Sequence, residues 1–223
     1  MAGPLRPAYA AELDQLRLQV ELMAVRVDEN LERMRTVLAT GDEVLAGQAI
    51  AADDEIDAMS VSLTERCYDL LAREQPVAGD LRFIVSVLRV LGEFERIGDL
   101  ALRVVKVTPD LALVQRNAST YDLVLAMADT AVERYREAMR AWSGPSIAVA
   151  ERMLADPPPT RHLEERLTAE LLALQGSEAA ATAIRTLVVG RSLERIADHA
   201  GIIAARLLFL ATGDPDRLAQ EVR

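Results

Sequence analysis

Two pairs of acidic residues recur along the chain with the same spacing. Glu95 and Asp99 lie in the segment Glu-Arg-Ile-Gly-Asp, and Glu194 and Asp198 lie in Glu-Arg-Ile-Ala-Asp, 99 residues later. Carboxylates four residues apart project from one face of a helix, about 5–6 Å from each other. Such pairs bind hard or borderline metal ions, or they form ion pairs with arginine and lysine. The spacing therefore favours two cation-binding positions of the same kind.

Both pairs fall on an apolar stripe when their segments are placed on a helical wheel. Glu95 and Asp99 share the stripe of Ile84, Leu88 and Leu91, and the second pair repeats this placement. Removing an unpaired carboxylate from water is costly, so acids on such a face need a basic side chain or a metal ion beside them. We therefore predict that these carboxylates lose part of their hydration.

A metal ion needs more oxygen ligands than two, and the preceding helix of the first half offers them. Asp53 and Asp57 are again four residues apart, in the run Asp-Asp-Glu-Ile-Asp. Divalent or transition ions such as Fe, Zn, Mn or Mg suit carboxylate ligands. The predicted metal ligands are Glu95, Asp99, Glu194, Asp198, Asp53 and Asp57.

The second half is poorer in ligands. Asp156 lies 103 residues after Asp53, and the position that then matches Asp57 is Thr160, with prolines at residues 157–159 between them. His199 follows Asp198 directly, but a histidine on a helix flank is predicted here to be structural. Cys67 is the one cysteine and is predicted to lie in the core.

The elements that would carry these acids are long helices. Apolar residues recur at helical spacing through most of the chain, and no segment shows a sustained alternation typical of strands. Turn signals at residues 40–42, 75–80, 108–109, 143–145 and 176–178 separate six helices, with the fifth broken at residues 156–159. The sequence predicts an all-α fold of two tandem antiparallel three-helix bundles, 9–107 and 109–213, with tails at 1–8 and 214–223.

Composition excludes several classes of protein. The net charge is −10, with 25 basic and 35 acidic residues, which argues against nucleic acid as a partner. A single cysteine suits a reducing compartment, and no apolar run reaches the length of a spanning helix. No glycine-rich phosphate loop and no motif of an activated nucleophile is present. A cytoplasmic protein that is not an enzyme is expected.

The chain resembles the PhoU family of phosphate-uptake regulators over nearly its whole length. The resemblance lies in Asp53 to Asp57, in the turn Gln75 to Arg82, in the two Glu-x-x-x-Asp segments, and in Leu-Ala-Thr-Gly-Asp at 210–214. Two features differ from the family pattern. Arg103 and Ile202 stand where the family often has asparagine, and prolines interrupt the second acidic motif.

The resemblance implies a fold and a function. PhoU-like proteins are tandem three-helix bundles, usually homodimers, and several bind metal ions through these acidic motifs. It implies a negative regulator of phosphate uptake and of the phosphate-starvation response. Such an adaptor contacts the ATPase subunit of the phosphate ABC transporter and the phosphate-sensing histidine kinase. It would reach the inner face of the membrane only through these partners.

Two alternatives remain open on the residues alone. A carboxylate-bridged di-metal enzyme would use the same acids in an enclosed site beside a substrate pocket, although such sites favour Glu-x-x-His. A metal-free helical scaffold would instead pair the acids with basic residues such as Arg96 and Arg195.

Overall fold

The first half folds into three long antiparallel helices. The computed structural model describes residues 7–156 and 158–222, with side chains up to residue 219. Helix α1 spans Pro7–Thr40, α2 spans Glu43–Glu74, and α3 spans Ala78–Val105. Each of the three packs against the other two, so α1, α2 and α3 form one bundle. The predicted all-α fold is confirmed.

The second half repeats this plan with interruptions. A short 3-10 helix, Thr108–Asp110, and the one-turn helix α4, Leu111–Val114, lead into α5, Ala118–Ser143. The second helix of this bundle is split into α6, Ile147–Ala155, and α7, Pro159–Leu172, and the third helix, α8, spans Ala179–Thr212. The break between α6 and α7 confirms the prediction from the prolines, because a proline inside a helix removes a donor and clashes with the preceding turn.

Helix ends follow local chemistry in most places. Gly41 adopts φ 72°, and the Asp42 carboxylate accepts hydrogen bonds from the backbone N–H groups of Val44 and Leu45, as predicted for this turn. The turn predicted at residues 75–80 is shorter than expected, because α3 already begins at Ala78 and Asp80 lies in its first turn.

Two other boundaries differ from expectation. A continuous helix from Pro109 to Trp142 was predicted, but the chain turns at residues 115–117 and Asn117 starts α5 by accepting a hydrogen bond from the Thr120 N–H. The segment after residue 213 was predicted to be a frayed tail. Its backbone instead forms a 3-10 helix, Pro215–Val222, that packs against α8.

The two bundles share one core. Helix α3 lies antiparallel along α8, and α1 lies against α5. The buried Tyr135 hydroxyl donates a hydrogen bond of 2.8 Å to the Ala24 carbonyl of the first bundle, and the Tyr135 ring meets Phe94 edge-on. Cys67 is fully buried in the first bundle, as predicted.

Among the described residues, none of the helices combines the length and the hydropathy that crossing a bilayer requires.

Candidate functional site

Three of the predicted acids come together where α2 meets α3. Asp53 on α2 is 7% exposed and lies against the backbone of Gly98 on α3. A β-carbon built at Gly98 would stand 2.7 Å from Asp53 Oδ1, so only glycine admits this approach. Asp57, one turn after Asp53, and Asp99, beside Gly98, are exposed at the rim of the same contact.

Burial and neighbouring negative charges raise the pKa of Asp53 and of Asp57. Burial, followed by the negative charges of Asp57, Asp99 and Asp54, raises the pKa of Asp53 to about 6. Partial burial and then the charge of Asp99 raise the pKa of Asp57. Lys106 acts in the opposite direction on Asp53, but it is the last of the causes. The acids of the first bundle therefore form a region of uncompensated negative charge, which a bound cation would relieve.

The burial predicted for Glu95 and Asp99 is wrong, because both side chains are exposed. Helix α3 is covered by α1 and α2 on one side and by α8 on the other. Its exposed arc is consequently narrow, and Glu95, Arg96, Asp99 and Arg103 lie along it. The helical wheel placed these acids on the apolar stripe because the sequence of one helix does not show that α8 also covers α3.

The second acidic pair lies among arginines. The Glu194 side chain is 13% exposed and forms an ion pair of 2.7 Å with Arg191. Burial raises the pKa of Glu194, and Arg191 opposes this rise. Asp198 reaches solvent but borders a cleft of about 340 Å³ that Arg134 and Arg161 also line. Loss of hydration raises the pKa of Asp198, and Arg161 is the largest opposing influence.

The pattern of buried residues, which the two bundles share, shows why the second acidic pair has arginines beside it and the first does not. The buried positions of α2 recur 104 residues later in α6 and α7, and those of α3 recur 99 residues later in α8. In this register Arg161 takes the place of Asp57, and Arg191 takes the place of Gly92. The predicted match of Asp156 with Asp53 and of Thr160 with Asp57 is thus one residue off. Residue 157, which matches Asp53, lies outside the described residues.

The two acidic pairs consequently differ in their fit to a metal ion. In the described part of the chain no three His, Cys, Asp or Glu side chains already stand in a metal-binding arrangement. The first-bundle carboxylates have the oxygen chemistry and the unbalanced charge that suit a divalent cation. The second pair has arginine where the first has aspartate and glycine, so its charge is balanced by the protein itself.

A buried carboxylate that the sequence analysis missed joins the two bundles. Glu93 on α3 is 1% exposed and lies 2.6 Å from His199 Nδ1 on α8. Arg96 and Arg89 approach the other oxygen of Glu93, at 2.9 Å and 3.2 Å. His199 is therefore structural, as predicted. Its partner Glu93 lies on the other bundle, so the helical pattern of one segment could not identify it.

Sequence and structure comparisons agree on the relationship of this doubled helical chain. The PhoU domain family matches residues 20–108 and again residues 124–207. The chain belongs to the PhoU family. The two matched regions coincide with the two bundles, so the repeat of the acidic segments reflects two PhoU domains in tandem.

Individual PhoU proteins match over almost the whole chain. A phosphate-specific transport system accessory protein, PhoU homolog 2 of Mycobacterium tuberculosis, is 30% identical over 94% of this chain and 99% of its own length. The accessory protein PhoU of Escherichia coli is 25% identical over 94% of this chain and 87% of its own. The crystal structure of PhoU from Pseudomonas aeruginosa superposes with a TM-score of 0.87 at 28% identity, covering 92% of this chain and all of that one.

Proposed function

We propose that this protein restrains phosphate uptake and the phosphate-starvation response as a non-catalytic adaptor. Its partners would be the ATPase subunit of the phosphate ABC transporter and the phosphate-sensing histidine kinase. The observation that carries the proposal is the match, over 94% of the chain, to a protein named as an accessory of the phosphate-specific transport system.

A homodimer is part of the proposal, and light scattering of the purified protein tests it.

The geometry of the acids supports an adaptor over the di-metal enzyme. Asp57, Glu95 and Asp99 are exposed on the helix surface rather than enclosed in the bundle. An enclosed site is what a carboxylate-bridged enzyme uses to hold a substrate away from water. An acidic patch open to solvent is instead suited to an ion that also meets a partner.

Deletion of the gene in the source bacterium tests the proposal. In phosphate-rich medium we expect the deletion to raise both the uptake of labelled phosphate and the activity of a phosphate-responsive promoter. Expression of the wild-type chain should reverse both changes. Uptake and promoter activity that both stay at the wild-type level after deletion would contradict the regulatory role.

We further propose that the first bundle binds a divalent or transition metal ion through Asp53, Asp57 and Asp99, with Glu95 one turn away. The ion would supply positive charge to the acidic rim, which offsets the repulsion between these carboxylates and offers a ligand position to a partner. In the second pair, Glu194 would remain in its ion pair with Arg191 and Asp198 would keep the charge of Arg161 nearby, as in the metal-free scaffold.

Elemental mass spectrometry of the purified protein tests the metal proposal. We expect wild type to retain Fe, Zn or Mn after dialysis, and Asp53→Asn/Asp99→Asn to lose it. The control variant Glu194→Gln/Asp198→Asn also neutralises two acids, but in the second bundle, and should keep the metal. Loss in both variants, or no uptake of added metal by wild type, would contradict a site confined to the first bundle.

A further inference from the structure

A groove between α3 and α8 combines arginine with apolar side chains. Its volume is about 220 Å³. Arg103 comes from α3, and Arg191 and Arg195 come from α8, while Leu100, Leu187 and Val188 form the apolar part. Among the described residues that line the groove there is no carboxylate. In a chain with a net charge of −10, this is a local segregation of positive charge.

Two of these arginines are available to a ligand. Arg103 and Arg195 are exposed, and within the described part of the chain neither forms an ion pair or a side-chain hydrogen bond. Arg191 is bound to Glu194 on the flank of the groove. A planar guanidinium binds a carboxylate through two parallel hydrogen bonds, so a free arginine in a groove favours an acidic ligand.

The shape of the groove favours a helix over a flat surface. Leu100 is 6% exposed and forms a recessed floor, while Leu187 and Val188 are 39% and 38% exposed along the α8 side. A groove between two antiparallel helices can accept the apolar stripe of a third helix. Amphipathic helices bind hydrophobic grooves of other proteins in this way. A flat bilayer would reach the arginine tips but would not reach a recessed floor.

We propose that this groove binds an acidic amphipathic helix of a partner protein. Carboxylates of that helix would pair with Arg103 and Arg195, and its apolar side chains would cover Leu187 and Val188. The proposal deepens the proposed function and rests on it, because an adaptor needs a surface for its partner. It adds the basic groove as a partner surface distinct from the acidic rim of the first bundle.

Fluorescence anisotropy with labelled synthetic helices tests the proposal on the purified full chain. The probe is a helix of about 18 residues, or five turns, with leucine at positions i, i+4 and i+7 and glutamate on the flanks of that stripe. A second peptide replaces glutamate with lysine, and a third scrambles the order of the first. We expect saturable binding of the first peptide, none of the second, and weaker binding of the third.

Charge reversal in the groove supplies the decisive comparison. Arg103→Glu/Arg195→Glu should weaken binding of the acidic helix at least tenfold, with an unchanged circular dichroism spectrum. Arg166→Glu is the matched control, since Arg166 is an exposed arginine on α7 without an ion pair among the described residues, and its affinity should equal wild type.

Three results would overturn the proposal. These are the absence of saturable binding to the acidic helix, equal affinity of the reversed and control variants, and binding to phosphatidylglycerol vesicles in place of the peptide. Because the assay uses purified protein, it is independent of phosphate uptake. Peptide binding without any effect of gene deletion would refute the regulatory function and leave the groove intact, and the opposite pair of results would refute the groove alone.

Discussion

Asp53 is the residue at which charge and packing are most closely linked. Its burial against Gly98 and the negative charges of Asp57 and Asp99 together hold its pKa at about 6. An aspartate in an unfolded chain has a pKa of about 3.9. Between these two values the folded protein binds more protons than the unfolded chain, so this residue stabilises the fold in acid and ceases to do so as the pH rises through 6.

Asp53→Asn should therefore stabilise the metal-free protein at high pH. The amide keeps the shape of the side chain and removes the charge, so at pH 8 with EDTA we expect the free energy of unfolding to rise by about 1–2 kcal/mol. At pH 4 the difference should disappear, because the wild-type carboxyl is then protonated in the folded protein. Urea unfolding at both pH values measures it, and an equal effect at pH 4 and pH 8 would show that the charge is not responsible.

The acidic side chains of the two candidate sites and their partners were only partly predictable from the sequence. The spacing of Asp53, Asp57 and Asp99 was enough to bring them into one candidate site, because α2 and α3 are adjacent and antiparallel. Arg191 lies three residues before Glu194 on the same helix, so that ion pair is local. Arg161 beside Asp198 was not expected, since its position depends on how α7 packs against α8 after the prolines. Glu93 was missed because its burial depends on α8, which belongs to the other bundle.

At the scale of elements, the close approach of α2 to α3 depends on one glycine. Gly98 is buried beneath Asp53, whereas the matching position of α8 is Ala197. Helix interiors ordinarily favour alanine over glycine by up to about 1 kcal/mol. The glycine is therefore explained by the space that Asp53 occupies and not by a need for backbone freedom.

Gly98→Ala should destabilise the protein by about 1–2 kcal/mol, because the cost of overpacking exceeds the gain in helix propensity. The matched control is Gly47→Ala in α2, where an added β-carbon meets nothing within 4 Å and a gain of about 0.5–1 kcal/mol is expected. Thermal unfolding of both variants measures the difference. In an Asp53→Ala background Gly98→Ala should lose most of its cost, and an undiminished cost would locate the clash elsewhere.

Helices and most turns were predictable because their signals are local. The glycine at 41, the cap at Asp42 and the prolines at 157–159 each act on the chain next to them. The turn at residues 115–117 contains neither glycine nor proline, and its only signal is the cap at Asn117. The final 3-10 helix was missed because it depends on contact with α8, which no local pattern encodes.

At the scale of the whole molecule, polar bonds and a common apolar core join the two bundles. Polar bonds cross between them at Tyr135 with Ala24, at Arg136 with Asp28, and at His199 with Glu93. The apolar core also runs without a gap from one bundle to the other. We infer that neither bundle keeps its full stability when the other unfolds.

His199→Leu should destabilise the whole protein by about 1–3 kcal/mol, because it leaves one oxygen of the buried Glu93 carboxylate without its partner. The transition in calorimetry should shift to lower temperature and remain single. His162→Leu is the control, since that side chain is 78% exposed and its replacement should leave the transition unchanged. A split into two transitions in wild type would contradict the shared core.

The labelling rate of the single cysteine, Cys67, can measure how often the first bundle opens. Burial of Cys67 raises the pKa of its thiol to about 12, so the reactive thiolate is almost absent while the first bundle stays closed. A colorimetric disulfide reagent added to native protein should react only as fast as that bundle opens. The labelling rate needs no engineered probe. It would show whether a metal ion or a bound partner helix slows the local opening of α2.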